Sequence, residues 1–200
     1  MKKPSVFCLA IALGCWLSLL LQPVPALAGN APLDNTGTVQ CDANGLISKD
    51  TLISTSSSAA PRQLQVGETK TIPAICPAER YFPSGVLITP GAKYQIDSQG
   101  LWKDGWFVIG PQGWRGLLLE AWNRIPWRPF FELSGSIGQS EQHLFSIGRS
   151  RKWQAPSILS SAEENELFLF ANDWPGKMGN NRAVPDRKGG PLRVSILRLQ

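Results

Sequence analysis

Histidine is all but missing from this chain: His143 is the single one among 200 residues. Chemistry that relies on imidazole therefore has one candidate, and it sits in an alternating segment before Leu144 and Phe145, where a structural role is expected. The Gly-x-Ser-x-Gly, His-Glu-x-x-His, Walker and dinucleotide patterns are absent too, which removes the commoner hydrolase, metalloprotease and nucleotide-binding signatures. No run of five or more basic residues occurs, and the excess of Lys plus Arg (20) over Asp plus Glu (15) is scattered, so no nucleic-acid partner is expected. Helical periodicity is scarce, with Ser157 to Glu166 the one stretch that carries it, and there is no internal repeat. Glu120 and Glu132 are the only carboxylates in aromatic surroundings that could form a glycosidase pair. Both read more simply as rim residues, and no catalysis is expected.

Cysteine is sparse, and half of it belongs to a processing segment. Residues 1–28 read as a signal peptide: Lys2 and Lys3 give a positive start, Val6 to Leu21 an apolar stretch, and Ala26-Leu27-Ala28 the small-x-small cleavage pattern. Pro23 and Pro25 interrupt the apolar stretch before it reaches the length of a membrane span. Cleavage would remove Lys2 and Lys3, lowering the net charge from +5 to about +3, and would take Cys8 and Cys15 with it. Cys41 and Cys76 would remain, an even pair in an oxidising compartment, and are expected to form one disulfide. Closing a loop of that length would contribute roughly 3 to 4 kcal/mol by the chain-entropy estimate. A secreted or periplasmic protein is expected.

Residues 29–62 have few large apolar residues and much turn chemistry, as in Asp34-Asn35-Thr36-Gly37 and Ser54 to Ser58, and read as a flexible N-terminal extension. From residue 63 to 200 the punctuation becomes regular. Leu64 to Val66, Thr69 to Ile72, Val86 to Ile88, Lys93 to Ser98, Trp106 to Ile109, Phe130 to Ile137, His143 to Gly148, Glu166 to Phe170 and Leu192 to Leu199 are short apolar or alternating runs, most bounded by Gly, Pro, Asn or Ser. Nine short strands at close spacing predict an all-β domain, an antiparallel β-sandwich or jelly roll.

One loop stands out. Leu169-Phe170-Ala171-Asn172-Asp173-Trp174-Pro175-Gly176-Lys177-Met178-Gly179-Asn180-Asn181 is a strand entering a turn with one carboxylate and two adjacent amides. Trp174 to Lys177 suits a type II turn, since proline presets φ at the second position and glycine accepts a positive φ at the third. Folded back in this way, Asp173, Asn180 and Asn181 could converge as hard oxygen ligands for calcium; zinc, which favours nitrogen and sulfur, is not expected. Seven tryptophans follow the signal segment. Trp174, beside Asp173, is the one expected to lie against the C–H face of a sugar ring. Trp106 and Trp114 are second choices, and Trp102, Trp122, Trp127 and Trp153 are expected in packing.

Asn-Asp-x-Pro-Gly-x-x-Gly-Asn-Asn after an apolar strand resembles the calcium loop of the PA-I-type galactophilic lectins of bacteria. Upstream, Pro90-Gly91-Ala92-Lys93-Tyr94-Gln95-Ile96, Gly100-Leu101-Trp102-Lys103-Asp104-Gly105 and Gly110-Pro111-Gln112-Gly113 are similar to that family's landmarks in the same order, over roughly residues 84 to 200. The resemblance implies a galactose-binding-like β-sandwich that holds calcium through the carboxylate of Asp173, the side-chain oxygens of Asn180 and Asn181, and the main-chain carbonyls of Lys177 and Asp104. Two sugar hydroxyls would complete the ion's shell, with Asp173 and Asn180 also hydrogen-bonding them.

Two further sugar-contact positions fall near Leu117 and Glu120, where a leucine stands for the family's histidine and Glu120 only partly mimics its glutamine. Lys177 replaces a small polar residue, Arg182 and Arg187 add positive charge, and the stretch from Arg182 to Pro191 is longer than the family's. Calcium-mediated recognition of galactose-like glycans by a non-catalytic protein, with a homo-oligomer as a possible state, is the function expected. The alternative is a structural or adhesive protein-interaction domain on the same fold without metal or sugar.

Overall fold

The period-2 pattern of Arg193–Arg198 produces what it predicts: Val194 and Ile196 are fully buried while Arg193 points to solvent. The computed structural model describes residues 60–159, 165–184 and 188–200, and these contain thirteen strands. They are β1 (Arg62–Gln63), β2 (Thr69–Ile72), β3 (Phe82–Leu87), β4 (Lys93–Gln99), β5 (Trp102–Asp104), β6 (Phe107–Ile109), β7 (Gln112–Trp114), β8 (Phe130–Ile137), β9 (Leu144–Ser146), β10 (Ser150–Gln154), β11 (Glu166–Ala171), β12 (Asn181–Ala183) and β13 (Arg193–Arg198). One sheet runs β1-β3-β11-β8-β7 with β9 also on β8, a second runs β10-β4-β13-β2, and a third, small one runs β12-β5-β6. Among the described residues only the β1–β3 pair is parallel.

Tyr94, Ile96, Val194 and Ile196 from the second sheet join Val86, Phe131, Leu133, Leu167 and Leu169 from the first in one continuous core. Burying such a side chain fully contributes about 1.5 to 3 kcal/mol, so a core drawn from both sheets is what holds them together. The fold is therefore an antiparallel β-sandwich, as expected. β8 is buried along its whole length, with Ser134 and Ser136 inside as well as Leu133 and Ile137, because β11, β7 and β9 pair along it. The two serines satisfy their hydroxyls locally, Ser134 on Glu132 O and Ser136 on Gly138 O and Ser140 O.

Several details differ from the sequence reading. Leu64 is buried but Leu64 to Val66 leads into a turn, and the strand lies just before it. Trp106 occupies the turn between β5 and β6. β5, β7, β10 and β12 have no clear sequence signal, since runs of three to five residues containing Lys, Arg, Asp or Gly carry little apolar alternation. Ser157 to Leu159 and Asn165 are irregular, and Glu166 already belongs to β11; the rest of that stretch lies outside the described residues. Residues 1–28, most of 29–62, and with them Cys41, also lie outside.

Trp102 and Trp153 pack as expected, Trp102 edge-on to Phe131 and Trp153 stacked on Phe145 at 4.3 Å. Trp122 and Trp127 do not: they are 61% and 63% exposed. Among the described residues no helix is long and apolar enough to cross a membrane.

The third sheet positions the candidate site. Buried Trp102 anchors β5 to the core, and β12 pairs with β5 so that Asn181 stands opposite Asp104. Glycine is required where β7 closes on β8. At Gly113 φ is +66°, and a Cβ there would sit 2.5 Å from Phe130 O and 2.7 Å from Glu132 N.

Candidate functional site

β11 ends in the buried Ala171, and the chain leaves the sheet through Asn172 and Asp173, both buried. Asn172 fixes the direction of departure. Its Oδ1 accepts from Ile125 N (2.7 Å), and its Nδ2 donates to Ile125 O (3.2 Å) and Pro129 O (3.1 Å). Its backbone N–H donates to Glu132 O (2.9 Å) and its carbonyl accepts from Phe131 N (2.8 Å). The side chain and backbone of one residue thus tie the segment 125–132 to the end of β11. That segment is strained: Trp127 and Phe131 have φ of +63° and +61°, a region large side chains avoid, and the neighbouring hydrogen bonds hold them there.

Past Asp173 the chain turns as the sequence predicts. Lys177 N donates to Trp174 O (3.0 Å) across Pro175 and Gly176, and Gly176 has a φ of +81°, which type II geometry requires at that position. A 3₁₀ turn, Met178–Asn180, then delivers Asn181 to the start of β12. Residues opposite one another in an antiparallel pair share a face of the sheet, so Asn181 and Asp104 come together by register alone.

The four polar groups form two linked pairs. Asp173 Oδ1 accepts from Trp174 N (2.6 Å) and its Oδ2 from Asn181 Nδ2 (3.0 Å), which also donates to Pro77 O (3.0 Å). Asn180 Nδ2 donates to Asp104 Oδ1. Burial pushes the Asp173 carboxyl above the usual carboxylate range and the nearby Asp104 charge adds to this, against the opposing hydrogen bonds from Asn181 and Trp174 N. Burial likewise raises Asp104, opposed by Asn180. Two carboxylates that repel in a poorly solvated place are stabilised by a cation between or beside them.

Asn181 Oδ1 supplies the independent sign. It is buried and has no hydrogen-bond partner, although its residue is fully enclosed and its Nδ2 makes two bonds. An acceptor in that position costs about 1 to 3 kcal/mol unless something meets it. Among the described residues no three His, Cys, Asp or Glu side chains cluster, so a cation here would rest on two carboxylates plus amide and main-chain oxygens. That donor set is all oxygen, the chemistry calcium selects. The Arg182 guanidinium is directed onto the loop's own carbonyls, Gly179 O (2.9 Å) and Asn181 O (2.7 Å).

Asp104, Asp173 and Asn180 line one cleft of about 540 Å³, together with Trp114, Phe130, Trp174, Gly176, Lys177 and Gly179. Its size and mixed lining suit a small polar ligand with an apolar side. The expected ligands Asp104, Asp173, Lys177 and Asn180 all reach it, and Asn181 stands directly behind Asp173. Trp174 is half-buried, edge-on to Phe130 (6.2 Å) and to Trp122 (6.1 Å), and packs against the core as well as lining the cleft.

Glu120 is elsewhere: its carboxylate accepts from Gly116 N (3.1 Å) and from Arg115 (3.0 Å), and it is not among the cleft's lining residues. Two features had no sequence signal pointing to them. Phe130 forms part of the wall, and the side chain of Asp104 lines the cleft where only its carbonyl was expected. Cys76 is buried in the core, and its expected partner Cys41 lies outside the described residues.

No protein-family model matches the chain, and no curated protein matches it. Among solved structures it is similar to the N-terminal domain of EclA, described as a PllA-like lectin. The identity is 18%, the match covers 65% of this chain and 94% of that one, and the TM-score is 0.43. At that identity and score the likeness lends nothing to the reading of the cleft.

Proposed function

We propose that the chain is a non-catalytic carbohydrate-binding protein that recognises galactose-like sugars through a calcium ion. Asp104, Asp173, Asn180 and Asn181, with the main-chain carbonyl of Lys177, would hold the ion. When bound, calcium supplies a Lewis-acidic centre that accepts two neighbouring hydroxyl oxygens in place of water. The chain's own residues do the rest. Asp173 and Asn180 accept and donate hydrogen bonds at the hydroxyls, and Trp174, with Trp114 and Phe130 on the walls, offers apolar surface to the sugar's C–H face. The observation that carries the reading is the buried Asp173 carboxylate on the lining of an aromatic-walled cleft, bonded through Nδ2 to Asn181, whose own buried Oδ1 has no hydrogen-bond partner.

Binding rather than chemistry is supported by where the two carboxylates that could form a glycosidase pair are. Glu120 is engaged by Arg115, and Glu132 lies 3.4 Å from Arg128, so neither is presented to the cleft as half of an acid–base pair. The signal-like residues 1–28 support a secreted or periplasmic site of action.

A glycan array probed with calcium and again with chelator tests the proposal. Galactosides should be retained only with calcium. Retention in chelator would replace the ion-bridged mechanism with an aromatic platform. No glycan and no bound calcium at millimolar concentration would assign the surface to a protein partner instead.

A further inference from the structure

The aromatic side chains of the cleft belong to a longer series. Trp114 and Phe130 meet edge to face at 5.6 Å on its wall. On one side Trp114 stacks against Phe107 (6.4 Å, 29°), and Phe107 meets Trp106 (5.8 Å). On the other, Phe130 meets Trp174 and Trp174 meets Trp122. Six rings are thus in contact in series, with Phe130 at the centre buried apart from its share of the cleft wall and both ends in solvent: Trp106 is 82% exposed and Phe107 55%, and Trp122 at the far end is 61% exposed. Large exposed aromatic surface on one side of a molecule marks a contact site.

What lies along the series identifies the occupant. At its centre are carboxylate and amide oxygens, which match hydroxyl groups, and to either side are flat apolar rings, which match the C–H faces of sugars. A glycan chain presents these two kinds of surface in alternation along its length. A bilayer fits poorly, because Asp104 and Asp173 would be pressed towards the headgroups and the exposed Arg115 beside the series is already paired with Glu120. A protein hot spot would need enclosed pockets for its anchors, and Trp106 and Trp122 stand out from the surface instead.

We propose that the exposed rings at the two ends of this series extend the cleft into a groove that binds an oligosaccharide along several consecutive sugars, Trp106 and Trp122 each stacking on a sugar outside the cleft. This rests on the carbohydrate reading of the cleft and adds the class of ligand: a neutral glycan chain rather than a lone terminal sugar.

The test compares galactose with a ladder of β-1,4-linked galacto-oligosaccharides up to the hexasaccharide, in calcium, by titration calorimetry. Affinity should rise with chain length. Trp106→Ala and Trp122→Ala should each weaken hexasaccharide binding about two- to tenfold, one aromatic contact's worth, and leave galactose unchanged. Trp106→Phe should restore part of the loss. Both side chains are exposed, so the variants should melt as the unmutated protein does, which a thermal scan checks. Length-independent affinity, or hexasaccharide binding indifferent to both substitutions, would overturn the groove while leaving the cleft's reading intact. Co-sedimentation with phosphatidylcholine vesicles that both substitutions abolish would hand the rings to a lipid surface and overturn it equally. Failure of every sugar, galactose included, on calcium-loaded protein would remove the carbohydrate reading beneath it.

Discussion

Replacing Asn172 with alanine should unfasten the site from the fold. The side chain is completely buried and makes three hydrogen bonds, to Ile125 N, Ile125 O and Pro129 O, at 2.7 to 3.2 Å. Truncation leaves the Ile125 N–H without its partner, takes one donor each from Ile125 O and Pro129 O, which keep Arg128 N (3.4 Å) and Glu132 N (3.3 Å), and opens a small void. An unmet buried polar group costs about 1 to 3 kcal/mol, and the two lost N–H donations and the void add to it, so the expected loss is about 2 to 3 kcal/mol. The strained backbones of Trp127 and Phe131 sit in the segment that Asn172 ties down, and releasing them would let the loop relax away from β11.

Two measurements follow. Urea denaturation in chelator should show the stability loss, and calcium titration should show weakened binding although Asn172 is not a ligand. Asn172→Asp is the sharper control. It keeps the Oδ1 acceptor for Ile125 N but turns an oxygen towards the carbonyls of Ile125 and Pro129, and so should cost at least as much as alanine. A loss below about 1 kcal/mol for both variants would refute the claim that this amide fastens the loop, since it would fall within a single ordinary hydrogen bond.

Asp173→Asn should abolish calcium binding and behave like permanent chelation. Its carboxyl is raised by the fold, so the stability linked to its protonated form is present below the unfolded pKa and lost as pH rises through the raised value. In chelator the unmutated protein should gain stability on acidification through that range relative to the variant, and a difference of opposite sign would refute the assignment. Trp174→Ala should weaken sugar binding about tenfold with calcium affinity nearly kept, as an aromatic contact of about 1 to 1.5 kcal/mol is removed; equal loss of both would make it a loop-shaping residue. Free-thiol counting on denatured, unreduced protein lacking residues 1–28 should find none, and two titratable thiols would refute the Cys41–Cys76 pairing.

Most of the architecture was legible because sandwich strands advertise themselves. Val194 and Ile196 alternate with polar residues, and Glu166–Ala171 is an apolar run of strand length. β5 and β12 were not legible: three residues such as Asn181-Arg182-Ala183 become a strand only because Trp102-Lys103-Asp104 lies beside them.

The loop itself was readable from Pro175 and Gly176, whose backbone preferences specify the turn without help from the rest of the chain. Its neighbours were not. The Asp104 carboxylate reaches the cleft through strand register, and Phe130 through the bend at Phe131, both set by tertiary pairing. Trp122 and Trp127 are expected in packing because tryptophan is usually enclosed. Their exposure follows from a 3₁₀ turn at Leu117–Trp122 and a left-handed residue at Trp127 that no local pattern announces.

If the ion bridges protein and sugar, the two ligands must help one another by the same factor, since coupling between binding equilibria is reciprocal. The decisive measurement is a calcium titration followed by tryptophan fluorescence, run without and with saturating methyl galactoside, beside the converse sugar titration without and with calcium. Calcium should bind weakly alone, with a dissociation constant of roughly 10⁻⁴ to 10⁻³ M, and more tightly with sugar, and the sugar's affinity should rise by an equal ratio when calcium is present. Sugar affinity that is the same with and without calcium would contradict the account.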